Sequence, residues 1–496
     1  MKIRVPQAGL AIVLSSMISA CSLAPDYKVP QIAAVPAAYK EAGDWKQAQP
    51  LDRQQRGDWW KMFQDAQLNA LQAKVSDANQ DLKAALARLQ QARAETRIAR
   101  ADYFPTITAG ASVTRNRASV NGPNFPPGGT PTFNDFLLDA DLSYEVDVWG
   151  RVRNEVASAK ATQQASAADL ATLDLSTHAE LATDYFILRS QDSQKVLLDK
   201  IVADYAAALR LTQNLYDGGD AALTDLAQAQ AQLETARTQA ADIQLQRAQT
   251  EHAIAVLVGD NPSNFSLDPN PLPLDLSPPP IDPGLPSTLL ERRPDIAAAE
   301  RRVAAANAEI GEARAAYFPV FNLLADAGFE STQSSNWLNV PSRMWSLGPS
   351  AILTVFDAGR HRAQTERAQA VYDEEVADYR STVLIAYQEV EDNLAALRQL
   401  QRESVSEAAA VTATGKALQQ ANYRYKDGVA TYLEVVSTEN AALQAQLSAA
   451  NIQMRRMIAS AVLVKALGGG WQNFQTPQTD PGAGASTQGV HTEPSN

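Results

Sequence analysis

The chain has 496 residues and a formal charge of -13, or -15 without Lys2 and Arg4 of its leader. Such acidity repels phosphate backbones and excludes nucleic acid as a partner. Hydrophobic residues make up 45% and charged residues 20%; with Ala, Gln and Leu dominant, this suits long helices better than an enzyme core.

Lys2 and Arg4 precede an apolar run from Ala8 to Leu14 that is too short to span a bilayer, which makes 1–20 a signal peptide. It ends at Met17-Ile18-Ser19-Ala20-Cys21, and Cys21 is the only cysteine, so no intrachain disulfide forms. Small residues before a lone cysteine resemble a bacterial lipobox, in which the thiol is diacylated and becomes the first residue. Ser22 in the next position resembles an outer-membrane address. Each buried acyl CH₂ contributes about 0.8 kcal/mol, so two or three chains anchor firmly. Pro25, Pro30, Pro36 and Pro50 make 21–65 a lipid-anchored extended arm.

A first unit, 66–258, reads as a helix over about 66–102, strands at 106–116 and 136–149, and helices at 151–216 and 221–258. Nine prolines mark 259–286 as a connector. A second unit, 287–467, repeats the order: helix 287–316, strands 319–330 and 345–357, helices 360–425 and 430–466. The tail 468–496 has the Gly, Pro, Ser and Thr content of a disordered segment.

The two units are copies. Asp81-Leu82-x-Ala84-Ala85-x-x-Arg88 recurs as Asp295-Ile296-x-Ala298-Ala299-x-x-Arg302, and Tyr103-Phe104-Pro105 as Tyr317-Phe318-Pro319, both at an offset of 214 (295 − 81). After the strands the offset falls to 209 (359 − 150), taking Gly150-Arg151 to Gly359-Arg360 and Gly219 to Gly428. The difference between the two offsets places a loop between the strands of each pair.

The strands alternate. Ile107, Ala109, Ala111 and Val113 oppose Thr106, Thr108, Ser112 and Thr114; Phe136, Leu138, Ala140, Leu142, Tyr144, Val146 and Val148 oppose Asp139, Asp141, Ser143, Glu145 and Asp147. Phe321, Leu323, Ala325, Ala327 and Phe329 oppose Asn322, Asp326 and Glu330, and Trp345, Leu347, Ala351, Leu353 and Val355 form a fourth apolar face. These are lengths at which a tilted strand crosses a bilayer, although a half-buried soluble sheet has the same period. Export and the lipobox favour the membrane. Four strands leave two open edges, which lipid does not tolerate, so the chain is expected to oligomerise into eight, twelve or sixteen strands.

Asp217-Gly218-Gly219 and Lys426-Asp427-Gly428 end the longest helices at helix–turn–helix corners. The helices that follow carry 3-4 seams, Leu226 to Leu257 and Val435 to Ala466, whose period of 3.5 implies left-handed supercoiling. Arg247 and Arg456 hold equivalent seam positions, either as solvated flanks or as interhelical ion pairs.

Cys21 with Ala24-Pro25-x-Tyr27-x-x-Pro30, Trp59-Trp60-x-x-Phe63, Ala78-Asn79-x-Asp81-Leu82, Arg292-Arg293-Pro294-Asp295-Ile296, the paired Tyr-Phe-Pro and Gly428-Val429-Ala430-Thr431-Tyr432-Leu433-Glu434-Val435 form an ordered series over about 22–470. This series resembles TolC-like outer-membrane efflux proteins, in particular the lipoprotein subgroup of resistance–nodulation–division (RND) systems. The resemblance implies a mixed α/β membrane protein of a Gram-negative bacterium: a homotrimer with a twelve-stranded transmembrane β-barrel, four strands per chain, continuous with a periplasmic α-helical barrel. It also implies a periplasmic membrane-fusion adaptor and an inner-membrane RND pump as partners, palmitate-type lipid on Cys21 instead of a cofactor, and a role in multidrug efflux.

No catalytic pattern is present. His178, His252, His361 and His491 lack metal-ligand spacing, and there is no nucleophile elbow, phosphate loop or Cys–His pair. The expected sites are therefore a conduit's. Asp217, Gly218, Gly219, Asp220 and Lys426, Asp427, Gly428, Val429 form two corners that would dock the adaptor. Asp220, Asp225 and Glu434 are candidates for a periplasmic gate, although Ala430 and Ser437 stand where family members can carry Asp. Asp139, Asp141, Glu145 and Asp147 are expected to face the lumen and favour cations. Two other readings remain open: the duct of a type I protein secretion system, and a lipid-anchored coiled-coil scaffold without a pore.

Overall fold

The structure is a computed structural model that describes residues 22–31, 39–40, 57–121, 132–281, 289–290 and 292–469. The expected signal peptide, Cys21, Pro36, Pro50 and the tail from 470 onward lie outside the described residues.

Period-2 alternation becomes four antiparallel strands in the order β1-β2-β3-β4: β1 Thr106–Arg117, β2 Thr132–Val146, β3 Val320–Ser331 and β4 Arg343–Ile352. The register decides their value. Ala109 lies opposite Ala140, Ala140 opposite Ala327, and Ala327 opposite Trp345. All four apolar faces therefore fall on one side of the sheet, and a slip of one residue anywhere would break that side. Most of it is uncovered among the described residues: Ile107 is 67% exposed and Trp345 77%.

Two strand ends fall short of expectation, and β2 begins at Thr132, four residues before the expected 136. β2 ends at Val146, because Asp147 turns to cap the helix beyond it and the Val148 amide bonds back to the Val146 carbonyl at 2.7 Å. β4 ends at Ile352, not near 357. Ile352 already lies opposite Val320, the first residue of β3, so later residues have no strand to pair with among the described residues of this chain.

The helices keep the spacing of the repeat. Helix α1 is Ala66–Ala78, α2 Gln80–Ala101, α3 Arg151–Asp217 and α4 Leu223–Leu257; α5 is Pro294–Ala315, α6 Arg360–Lys426 and α7 Tyr432–Ala466. Thus α5 repeats α2 at the larger offset, while α6 and α7 repeat α3 and α4 at the smaller one. At 67 residues each, α3 and α6 reach about 100 Å at 1.5 Å per residue. No helix among the described residues is long and apolar enough to cross a membrane.

The expected helix 66–102 is two helices. Asn79 leaves helical geometry, its side chain accepts the Leu82 amide to cap α2, and its amide nitrogen donates to the Leu257 carbonyl at the end of α4. No Gly or Pro announces this break; asparagine makes it by out-competing the helix for backbone partners. Arg293 holds the matching position of the second copy and performs the same service, donating to the Ala466 carbonyl at the end of α7 at 2.9 Å.

The seams pack as their period implies. Ala229, Leu233, Ala236, Ile243 and Ile254 are buried on α4, and Val435, Ala442, Ala445, Ile452, Ala459 and Leu463 on α7. α4 packs on α3, and α7 packs on both α3 and α6. Arg247 makes the interhelical ion pair: its Nε lies 2.6 Å from Asp192 of α3, both side chains nearly buried. In the second copy Gln401 stands in place of Asp192, and Arg456 donates to it across 2.5 Å as a charge–amide bond.

Candidate functional site

Three regions carry the expected chemistry, and each is built by a different element. The first is the polar face of the sheet. Asp139 and Asp141 lie two positions apart on β2, and Asp141 is directly opposite Asp326 on β3. Carboxylate oxygens of Asp139, Asp141 and Asp326 lie within 4.8 Å of one another. Like charges directly opposite in a ladder cost stability, so folding alone does not favour this trio. Around it Thr106, Thr108, Ser112, Asn322, Ser346 and Ser350 complete a hydrophilic face.

Two of the four expected lumen acids are otherwise engaged. Glu145 holds Arg151 through two bonds of 2.8 and 2.9 Å. Asp147 accepts the Val152 and Arg153 amides and the Arg153 guanidinium. They clamp the bend at Gly150, where strand passes into helix, so they add no free charge to the polar face of the sheet. Asp326 takes their place. Alternation put Asp326 on the polar face, but only the register brings it to Asp141.

The second region is the pair of corners. At the first, the Gly219 amide bonds to the Tyr216 carbonyl at 3.0 Å and the Asp220 amide to the Leu215 carbonyl at 2.7 Å. At the second, Gly428 bonds to Tyr425 at 3.0 Å and Val429 to Arg424 at 2.9 Å. Both are Schellman closures with the glycine at positive φ, +85° at Gly219 and +74° at Gly428. A Cβ at either glycine would meet nothing within 4 Å, so both corners present open surface. Lys426 closes α6, with Asp427 as its C-cap. Asp217 accepts the Gln213 amide at 2.9 Å, and Gly218 caps α3.

The gate candidates divide. Glu434 is drawn to Arg424 of α6 in an ion pair across the second corner. Asp225, its counterpart in the first copy, is half-buried and close enough to the Tyr425 phenol to help raise its pKa, behind burial. Asp220 is exposed at the first corner. Glu439, further along α7, is pushed up to about 7 by burial and then by Asp204, so at neutral pH it carries only part of a charge.

The third region is the arm. Ser22 Oγ donates to Asn154 at 3.0 Å, one turn past Gly150; the Leu23 carbonyl accepts from Arg314, and the Pro25 carbonyl from Asn307 at 2.9 Å. Tyr27 bonds to Glu300, and the Gln31 carbonyl accepts from Arg380. The arm thus runs along α5 from its strand end toward its far end. Further on, Trp60 stacks on the buried His178 at 4.3 Å, and Phe63 meets Phe186 at 5.0 Å. His178 is packed and bonded to Gln72, which accounts for it as core. Asp65 caps α1 with one oxygen and takes Tyr185 and Arg189 with the other. Arg189 also holds the connector through the Asn270 carbonyl at 2.9 Å.

The profile of the family described as "outer membrane efflux protein" matches residues 71–260 and again 285–469. Over 477 residues the chain is 32% identical to outer membrane protein OprJ of Pseudomonas aeruginosa, covering 94% of this chain and 97% of OprJ. Over 480 residues it is 32% identical to the toluene efflux pump outer membrane protein TtgF of Pseudomonas putida, covering 94% and 98%. Among solved structures it is similar to the outer-membrane channel OprN, with a TM-score of 0.82 at 31% identity over 90% of this chain and 99% of that one. The outer membrane channel CmeC of Campylobacter jejuni gives 0.82 at 25% identity, over 92% and 96%.

Proposed function

The chain belongs to the outer membrane efflux protein family, and from that membership and the geometry above we propose that it works as a passive trimeric duct. It is an outer-membrane channel component of an efflux system. Small molecules pass through it, and the energy comes from an inner-membrane pump reached through a periplasmic adaptor. One observation carries this reading. The register lines up a continuous apolar face and a continuous polar face on a sheet with two unpaired edges, which suits a wall between lipid and water. Three chains of four strands make a twelve-stranded barrel, and the helices leaving Gly150 and Gly359 extend the same wall into the periplasm. The names of the relatives favour efflux over protein secretion.

In this duct Asp139, Asp141 and Asp326 line the lumen of the barrel and favour cations. Purified protein in planar bilayers is expected to open cation-selective channels, and Asp139→Asn with Asp141→Asn and Asp326→Asn to bring the reversal potential toward zero. Channels that select anions, or a triple variant with unchanged selectivity, contradict the assignment. In the same recordings Asp225→Ala or Glu434→Ala is expected to raise conductance if these acids narrow the periplasmic end, and unchanged conductance in both removes them from it.

Acylated Cys21 is the anchor. Ser22, the residue after the expected acylation site, is held beside Asn154 next to the strand-to-helix bend, which supports anchoring at this end of the chain. The corners dock the adaptor: two near-equivalent open turns per chain give six around a trimer. Gly219→Trp with Gly428→Trp, whose side chains enter open space, is expected to leave trimers intact and to abolish drug export. Export at the wild-type rate from such trimers would refute docking at the corners.

A further inference from the structure

The symmetry of the repeat extends past the end of the chain. β1 pairs with β2 so that Thr106 meets Ser143, and β3 with β4 so that Val320 meets Ile352. These are the same register, carried forward by the larger offset on one strand and the smaller on the other. The helix packing follows the same rule. α2 on α3 repeats as α5 on α6, and α3 on α4 as α6 on α7. The contacts between the copies, β2 on β3, α3 on α5 and α3 on α7, must likewise repeat as β4 on β1, α6 on α2 and α6 on α4. None of these three is a packed pair among the described residues of one chain.

In the trimer proposed above they fall between neighbouring copies, and we propose that Arg88 with Asp378 and Glu95 with Arg367 are the ion pairs that join one protomer to the next. Within the chain, Arg302 of α5 grips Asp169 of α3 with contacts of 2.6 and 2.7 Å. Moved by the two offsets, this pair becomes Arg88 of α2 and Asp378 of α6, with the same charges. Ser158 donates to Glu309 at 3.3 Å between the same helices. Its image is Arg367 with Glu95, a hydrogen bond turned into a charge pair. The third bond across α3 and α5, Arg301 to Gln164, maps to Ala87 and Asp373 and has no counterpart. Arg88, Glu95, Arg367 and Asp378 are all exposed, and none has an ion-pair partner among the described residues. α5, sandwiched between α3 and α6, buries Ala298, Ala305 and Ala308, whereas the equivalent Ala84, Gln91 and Ala94 of α2 are not buried. An unmet neighbour explains the difference.

The strand edge passes an independent check. Phe136 with Ser331 and Val146 with Phe321 map to Trp345 with Arg117 and Val355 with Ile107. Odd residues meet odd residues, so the apolar face continues unbroken across the seam; a mapping of the other parity would have inverted it. The same register gives residues 353–355 a partner in β1 of the neighbour. Val355, 91% exposed in the protomer, gains its ladder there.

This inference rests on the trimeric reading, and cross-linking of the full-length protein separates the two. Ser112 and Ser350 fall directly opposite across the seam, where Cα atoms of paired strands lie about 4.5–5.5 Å apart, within disulfide reach. Ser112→Cys with Ser350→Cys is expected to yield covalent trimers on oxidation, whereas Ser112→Cys with Ser346→Cys, displaced along the strand, is not. Arg88→Asp is expected to lower the temperature at which trimers dissociate, and Arg88→Asp with Asp378→Arg to restore it. If the displaced pair links as well as the matched one, or the charge swap fares no better than the single reversal while light scattering still reports trimers, the seam is wrong and the trimer stands. A monomer by light scattering overturns both.

Discussion

Ala140→Arg is expected to keep the protein out of the outer membrane, while Asp141→Arg, at the next position along β2, assembles normally. Ala140 lies on the apolar face, between Ala109 and Ala327 in the middle of the sheet. An arginine facing lipid near the bilayer midplane costs about 2–4 kcal/mol, and a trimeric barrel incurs it three times. That is comparable to the whole stability of many domains. Asp141 faces the other way, against Asp139 and Asp326. An arginine there removes two like-charge contacts and gains two opposite ones, so the fold does not suffer and the channel's selectivity shifts toward anions. Heat-modifiable trimer in outer-membrane extracts reports assembly. Normal trimer for Ala140→Arg, with loss for Asp141→Arg, would mean that the two faces have been exchanged.

The second large effect concerns two glycines that local geometry cannot distinguish from those at the corners. Gly259 and Gly468 end α4 and α7 at φ +73° and +85°, and their Schellman bonds match those at Gly219 and Gly428. Their surroundings are opposite. A Cβ on Gly259 would lie 2.6 Å from the Ala78 carbonyl oxygen, and one on Gly468 would lie 2.7 Å from that of Arg292. Both obstacles are backbone, pinned where Asn79 and Arg293 tie the start of one helix to the end of another. Gly219→Ala or Gly428→Ala is expected to cost only the left-handed backbone term, about 1–2 kcal/mol. Gly259→Ala or Gly468→Ala adds a clash that no rotamer relieves, for roughly 3 kcal/mol or more. Thermal midpoints of the four purified variants test this. Equal midpoints would show that these junctions yield more easily than their geometry implies.

These cases show where the sequence is legible. Alternation along Phe136 to Val146 assigns the faces because each side chain's side depends only on its own strand. The corners are legible because Gly219 and Gly428 answer a purely local demand, a left-handed residue at a helix end. Asn79 gives no such signal, because its cap becomes worth making only with Leu257, 178 residues away, to receive its amide. Glu145 and Asp147 mislead for a related reason. Their period is that of a strand face, but the bend at Gly150 swings Arg151 and Arg153 back onto them. The role of Arg247 and Arg456 stays open in the sequence because the deciding residues, Asp192 and Gln401, lie on other helices.

The repeat and its two offsets, the period of every strand and long helix, and the turn residues between them are all written along the chain. Each arises from neighbours within a few positions, or from one copy compared with the other. Which strand lies beside which, and in what register, is settled only by packing in three dimensions. From that follow which carboxylates cluster, which are neutralised by arginine, and which glycines face backbone instead of open space. Most of those outcomes depend on groups far apart in the chain meeting within a few ångströms, and no local pattern records such a meeting.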